Sequence, residues 1–325
     1  MTVKAIRIHK IGGPEVLQFE DVEVGSPKAG EVRIRHHAIG LNFIDIYFRT
    51  GLYPAPQLPF IPGSEAAGEV VALGSGVTQL EVGDRVAYCT GMGAYTQERV
   101  IEARHLVKLP KAISYEQGAA MMLKGLTAQY LLRTTFRVKK GDVILVHAAA
   151  GGVGLLLCQW AFALGATVIG TVSSPAKAKL ARKAGARHVI DYSKEDFVEQ
   201  VKKITKGAKC DVVYDGVGKA TFLGSLDCLK PLGTMVTFGN ASGAVDPISP
   251  SLLTQKGSLF LTRPTLANHV ATHEDLVKRS RELFKAVASG IIKIDMHSRV
   301  PLADAAKAQI ALAERATTAA TVLIP

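Results

Sequence analysis

Hydrophobic and polar positions alternate with a period of two in several short runs of the first 124 residues. Val3, Ala5, Ile6 and Ile8 do so in MTVKAIRIHK, and VRIRHHAIGL (32–41), AAGEVVALG (66–74) and DRVAYCT (84–90) follow the same pattern. Such alternation marks half-buried strands. Gly12-Gly13-Pro14, Ser26-Pro27 and the proline-rich stretch from Pro54 to Pro62 separate the runs with turn chemistry. The pattern predicts a β-rich domain with many loops.

From Gly141 the texture changes. VILVH (143–147), an apolar helix-length segment, TVIGTV (167–172), AKAKLARKAGA (176–186), HVIDY (188–192), a polar helix, CDVVYDGVG (210–218) and GTMVTFGN (233–240) succeed one another. Buried strand, helix and buried strand in repetition predict βαβ units and a parallel sheet covered on both faces. Beyond residue 265 a charged helix, HEDLVKRSRELFKAVASG (273–290), leads to IIKIDMHSRVPL (291–302) and an alanine-rich helix ending at Arg315. The closing TVLIP (321–325) reads as a last strand that can return to the first domain. The expected fold class is therefore α/β, with two domains: residues 1–124 completed by 265–325, and residues 125–264.

No Asp, Glu, Lys or Arg occurs from Val143 to Ala176, a run longer than the roughly 20 apolar residues that cross a bilayer. Ala150-Gly151-Gly152-Val153-Gly154 and Gly165 interrupt it, and glycines there weaken helix propagation and mark turns. The run divides into strand, glycine turn, helix and strand, so its apolar character reports burial in a sheet and membrane insertion is not expected.

Composition narrows the partners. The net charge of +11 permits nucleic acid, an acidic membrane surface or an anionic small molecule. The basic residues, however, are scattered over helix-like stretches, as at Lys177, Lys179, Arg182 and Lys183, with no interleaved aromatics. Solvated helix faces explain them, and nucleic acid is not the expected partner. The four cysteines, Cys89, Cys158, Cys210 and Cys228, are far apart and offer no metal or redox spacing. Buried, reduced thiols and a cytoplasmic location are expected. None of the nine histidines pairs at metal-like spacing, and of His36 and His37, on one presumed strand, only one can face the interior.

Ala149-x-Gly151-x-x-Gly154 is a dinucleotide fingerprint with Ala in the first place, following a strand and opening a helix. Gly151 and Gly152 leave no side chain between the main chain and a pyrophosphate, Gly154 lets the helix pack on the strand, and the helix N-terminal N–H groups, with Val153 among the cofactor-binding positions, face the anion. At the end of the next strand, where NAD binders place an acid on the ribose, stand Ser173-Ser174-Pro175-Ala176-Lys177. Lys177 as a point charge and Ser173 as a donor suit a 2′-phosphate, so NADPH is the expected cofactor. Lys177 as an ordinary first-turn helix residue is the alternative.

GDVILVHAAAGGVG (141–154), GLNFIDIYFRTGLYP (40–54), PGSEAAGEVVALGSGV (62–77) and VGDRVAY (82–88) together resemble the medium-chain dehydrogenase/reductase superfamily, within it the zinc-free, zeta-crystallin-like quinone oxidoreductases. The likeness runs end to end. It implies a GroES-like catalytic domain, a Rossmann domain inserted in it, a cleft between them, and commonly a homodimer paired through Rossmann edge strands. One departure is Phe162, where relatives usually carry a basic residue; it affects surface or dimer contacts.

Asn42 and Ser64 stand where the alcohol dehydrogenase branch has Cys and His, and neither is a usual zinc ligand. No metal is expected, and without a Lewis acid an alcohol is not readily activated. Reduction of an electrophilic acceptor remains. By resemblance, Asn42 and Asp45 approach the nicotinamide ribose, Tyr47 lines the cofactor, and Tyr53 faces the acceptor, with Asn42, Tyr47 and Tyr53 as the catalytic candidates. Tyr47 and Tyr53 serve equally well as apolar walls. The same resemblance places Tyr130 against the cofactor, Tyr192 at the adenine, and Gly216, Phe238, Gly239 and Asn240 after the fourth and fifth strands. Arg263 falls near the nicotinamide and Arg315 near the adenosine phosphate, or Arg315 ends a structural helix.

The expected activity is NADPH-dependent reduction of a quinone. Reduction of an α,β-unsaturated carbonyl or enoyl thioester is the rival within the same class. A binder of NADPH and RNA, or a structural crystallin-type protein, is the rival outside it.

Overall fold

In a computed structural model the chain is described over residues 1–55 and 57–325. Pro56, within the proline-rich stretch of the sequence, lies outside the described residues. The described chain divides into two compact units. One comprises residues 1–126, 270–288 and 294–325; the other comprises residues 127–269 and 289–293.

The first unit opens with β1 (Thr2–Ile8) and β2 (Leu17–Glu23), an antiparallel pair. β3 (Glu31–Gly40), α1 (Phe43–Thr50), β4 (Ala66–Leu73), β5 (Arg85–Tyr88), β6 (Glu98–Glu102), β7 (Val107–Lys108) and α2 (Tyr115–Tyr130) follow, with the division between units falling inside α2. Every second residue of β3 is buried through its first part, so Val32, Ile34 and His36 point inward while Arg35 and His37 are exposed. The choice between the paired histidines thus falls on His36. Its Nδ1–H donates to the Thr96 carbonyl at 2.7 Å, which leaves Nε2 to accept from the Tyr88 hydroxyl at 3.0 Å. Burial pushes its pKa down to about 3. The core of this unit gathers Ile6, Ile34, Ile39, Val70, Tyr88 and Leu323.

The second unit carries β8 (Val143–Val146), α3 (Gly152–Ala163), β9 (Thr167–Val172), α4 (Pro175–Lys183), β10 (His188–Asp191), α5 (Phe197–Ile204), β11 (Cys210–Asp215), α6 (Phe222–Asp227), β12 (Leu229–Thr237), α7 (Ser251–Gln255), β13 (Phe260–Thr262) and α8 (Leu266–His269). Its six strands pair in the order β10-β9-β8-β11-β12-β13, every pair parallel. β9 reads TVIGTV with five of its six residues buried, as a strand covered on both faces requires. The chain moves outward from β8 in one direction through β9 and β10, then in the other from β11. Such a reversal, at the carboxyl ends of β8 and β11, is where open parallel sheets bind ligands.

After α9 (His273–Ala288) the chain forms β14 (Met296–Pro301), α10 (Ala305–Ala313) and β15 (Ala320–Ile324). β15 pairs with β3 through Val322 opposite Gly40 and Leu323 opposite Ile39. The terminal TVLIP therefore completes a seven-stranded sheet whose other members lie in the first unit. No helix among the described residues is long and apolar enough to cross a membrane.

Candidate active site

The glycine turn follows β8. Ala148 adopts φ 50, a left-handed conformation that side chains disfavour, and its carbonyl accepts the Gly151 N–H at 2.8 Å. A Cβ on Gly154 would lie 2.2 Å from that same oxygen, so only glycine lets α3 pack this closely. Leu155 makes the first bond back to Gly151, at 2.9 Å. The N–H groups of Gly152, Val153 and Gly154 precede it, and they are the donors a helix N-terminus offers to an anion. Beyond the Ala148 oxygen at 3.2 Å, a Cβ on Gly151 would meet nothing. The cradle therefore fits a pyrophosphate.

At the end of β9, Ser174 caps α4 by accepting the Lys177 N–H at 3.3 Å, and Pro175 takes the first helical position, where its fixed φ is suited. The Lys177 side chain runs toward the preceding strand end, where its Nζ lies 3.5 Å from Ser173 Oγ. Tyr192 is linked to the same strand end, its N–H donating to the Val172 carbonyl at 3.0 Å. Ser173 and Lys177, four residues apart, and Tyr192 from beyond β10 thus gather at the carboxyl end of β9.

The turns after β11 and β12 interlock. Asp215 Oδ1 accepts the Val217 and Gly218 N–H groups at 2.8 and 3.0 Å. A Cβ on Gly239 would lie 2.4 Å from the Gly216 carbonyl oxygen, and the Gly216 side of the turn packs on the Phe238 ring. Asn240 lies against Gly218, and the Arg263 guanidinium donates to the Gly239 carbonyl at 3.2 Å. Gly216, Phe238, Gly239, Asn240 and Arg263 form one cluster. Tyr130 is buried, with the His269 ring stacked on it at 4.2 Å. Arg315 belongs to the first unit, where it closes α10 in the left-handed conformation at φ 58. Phe162 is exposed near the end of α3.

The first unit supplies the remaining candidates. Asn42 stands at the N-terminus of α1, and its N–H is held by Asp45 Oδ2 at 2.9 Å. The Tyr95 hydroxyl donates to the same Asp45 oxygen at 2.8 Å. Asp45 is buried, and desolvation raises its pKa to about 7 against the hydrogen bonds from Tyr95 and Asn42. Tyr47 is buried, while Tyr53 is half-buried with its ring 5.1 Å from that of Tyr47 and 5.8 Å from that of Phe48. The Tyr53 N–H donates to the Tyr47 carbonyl at 3.1 Å, fixing the loop beyond α1.

The Asn42 side chain turns toward two charged groups that sequence reasoning missed. Lys124 Nζ donates to Asn42 Oδ1 at 2.7 Å and to the Leu41 carbonyl at 3.1 Å, and it pairs with Glu65 Oε2 at 3.3 Å. Glu65 Oε2 also accepts from Asn42 Nδ2 at 2.8 Å, and Oε1 accepts the Leu123 N–H at 2.7 Å. Glu65 is fully buried and Lys124 nearly so. A side chain on Gly40 would collide with the Glu65 carboxylate. The available signal was that Lys124 is the lone charge between Gly118 and Leu132. Among the described residues no cluster of His, Cys, Asp and Glu has the geometry to hold a metal, and the Asn42 side chain is bonded to the Lys124 ammonium and the Glu65 carboxylate rather than facing thiolates or imidazoles.

A parallel sheet with a glycine-turn anion cradle, joined in sequence to a β-rich unit, defines a medium-chain dehydrogenase/reductase. Residues 28–111 match the family described as alcohol dehydrogenase GroES-like domain, and residues 152–286 match that described as zinc-binding dehydrogenase. Over 323 residues the chain is 55% identical to a quinone oxidoreductase of Pseudomonas aeruginosa, covering 99% of each chain. It superimposes with a TM-score of 0.98 on the Escherichia coli quinone oxidoreductase solved with NADPH, at 51% identity, covering 99% of this chain and 100% of that one. A 2-haloacrylate reductase of Burkholderia sp is 47% identical over 331 residues, 99% of each chain. The chain belongs to the zinc-free quinone oxidoreductase family of the medium-chain dehydrogenases/reductases.

Proposed function

We propose that this protein is an NADPH-dependent reductase of quinones. The observation that carries the reading is the end-to-end identity with quinone oxidoreductases, one of them solved with NADPH. The Ser173 and Lys177 pair at the end of β9 supports the phosphorylated cofactor, since a lysine and a hydroxyl suit a 2′-phosphate and no acid stands there to repel it.

NADPH supplies the hydride; the protein supplies binding, orientation and a donor. The N–H groups opening α3 hold the pyrophosphate. The cluster of Gly216, Phe238, Gly239, Asn240 and Arg263 holds the nicotinamide half, while Tyr192 borders the adenine. Tyr130 backs the cofactor through its stacked pair with His269, and Arg315 adds charge toward the adenosine phosphate. Asn42 and Asp45 bind the nicotinamide ribose, and Tyr47 lines the cofactor. Tyr53 faces the acceptor and donates a hydrogen bond to the oxygen that gains charge.

The 2-haloacrylate reductase relative favours a second reading, in which the acceptor is an activated alkene. Steady-state assays with 1,4-benzoquinone, 9,10-phenanthrenequinone, 2-chloroacrylate and crotonyl-CoA separate the two. A far higher specificity constant for either alkene would sink the quinone reading. Tyr53→Phe should lower kcat and leave the KM for NADPH unchanged.

The wider context is part of the same proposal. Leu232 and, on the edge strand β13, Phe260 and Leu261 expose apolar side chains, which suits a homodimer paired through that edge. Four buried, unpaired cysteines suit a reducing, cytoplasmic setting.

A further inference from the structure

The donors and acceptors around Asn42 admit only one orientation of its side-chain amide. An ammonium has three N–H groups and no acceptor. Those of Lys124 are directed at Leu41 O, Asn42 Oδ1 and Glu65 Oε2, at 3.1, 2.7 and 3.3 Å. Lys124 can only donate, so the oxygen of the Asn42 amide must face it. The Glu65 oxygen at 2.8 Å takes one of the two Nδ2–H groups. What Asn42 can offer a ligand is its second Nδ2–H, and its oxygen is already engaged.

We propose that Lys124 and Glu65 are positioning residues that make Asn42 a fixed, one-way hydrogen-bond donor, selecting an oxygen acceptor on the bound ligand. This rests on the reading that Asn42 meets the nicotinamide ribose, whose hydroxyl oxygens accept such a bond. The charges of the pair serve orientation, since an asparagine held by one neutral partner could turn over and present its oxygen instead. Gly40 belongs to the device, because any larger residue would displace the Glu65 carboxylate.

The test is the dissociation constant for NADPH, measured by calorimetry on the full chain, together with the thermal midpoint, for Lys124→Met and for the double variant Lys124→Met/Glu65→Gln. The single variant leaves a buried carboxylate without its cation and should lose stability. The double variant removes that imbalance and should regain much of it. If the pair orients Asn42, NADPH binding stays about tenfold weaker in the double variant, the scale of one lost hydrogen bond, even as its melting temperature recovers. Recovery of both stability and affinity would overturn the proposal, since the pair would then only balance charge. Unchanged affinity in the single variant would overturn it as well. Should the single variant not fold, the double variant decides alone. Failure of the unaltered protein to reduce quinones while it still binds NADPH would refute the proposed activity and leave this comparison intact. Failure to bind NADPH at all would refute both.

Discussion

His147 Nε2 lies 2.9 Å from Ser225 Oγ, and Ser225 Oγ lies 3.0 Å from Asp215 Oδ2. The carboxylate only accepts, so Ser225 donates to it and must itself accept from His147. The imidazole therefore carries its proton on Nε2, and Nδ1 accepts from the Thr171 hydroxyl at 2.9 Å. Every member is almost fully buried, so this chain is not positioned to attack a substrate. It ties the ends of β8, β9 and β11 together beneath the glycine turn and the 216–218 turn. Ser225→Ala should leave the His147 N–H unpaired and cost about 1–3 kcal/mol. Urea unfolding measures it, and an unchanged midpoint would show that the network contributes nothing.

Two buried groups pull the pH dependence of stability in opposite directions. His36 stays neutral in the fold down to about pH 3, whereas in the unfolded chain it takes a proton below about pH 6.5. It therefore makes stability fall as pH drops through that window. Asp45 keeps its proton in the fold up to about pH 7 and loses it near pH 3.9 when unfolded. Its contribution is full at low pH and is lost as pH rises toward 7. The two slopes oppose each other over their shared range, each about 1.4 kcal/mol per pH unit. Asp45→Asn should expose the loss on acidification, and His36→Gln should expose the loss on raising the pH. Unfolding curves at several values between pH 4 and 7 read both, and parallel profiles for the two variants would contradict the assignment.

Lys177→Ala should weaken NADPH much more than NADH. The Lys177 ammonium stands beside Ser173 at the strand end where the ribose is read, and a 2′-phosphate is the only difference between the cofactors. Titration with each cofactor gives the two constants. Equal weakening would remove the phosphate argument.

A chelator should leave activity unchanged, and the purified protein should contain no stoichiometric zinc. The Lys124 ammonium sits against the oxygens of Asn42 and Glu65, where its positive charge opposes entry of a metal cation. Metal analysis alongside an assay with EDTA decides; activity lost to EDTA and restored by zinc would refute it.

Much of this protein was legible along the chain. Period-two alternation located β3, β4 and β5, and the charge-free run from Val143 to Ala176 resolved into β8, the glycine turn, α3 and β9. Those features are local: side-chain period, turn residues and caps act over a few neighbours, and the anion cradle needs only a strand, three glycines and a helix start. The absence of an acid after β9 was equally readable, because the position is fixed by spacing from the turn.

Tertiary structure alone decided what pairs across long sequence separations. Lys124 meets Asn42 across 82 residues, His147 meets Ser225 across 78, and Tyr95 reaches Asp45 across 50. The partner of a buried charge depends on sheet register and on where a helix crosses it, and no periodicity records either. For the same reason the last strand could be recognised from TVLIP, yet its place beside β3 had to come from the fold. The sequence by itself determined the cofactor cradle; the enclosed charges that orient Asn42 exist only once the chain has folded around them.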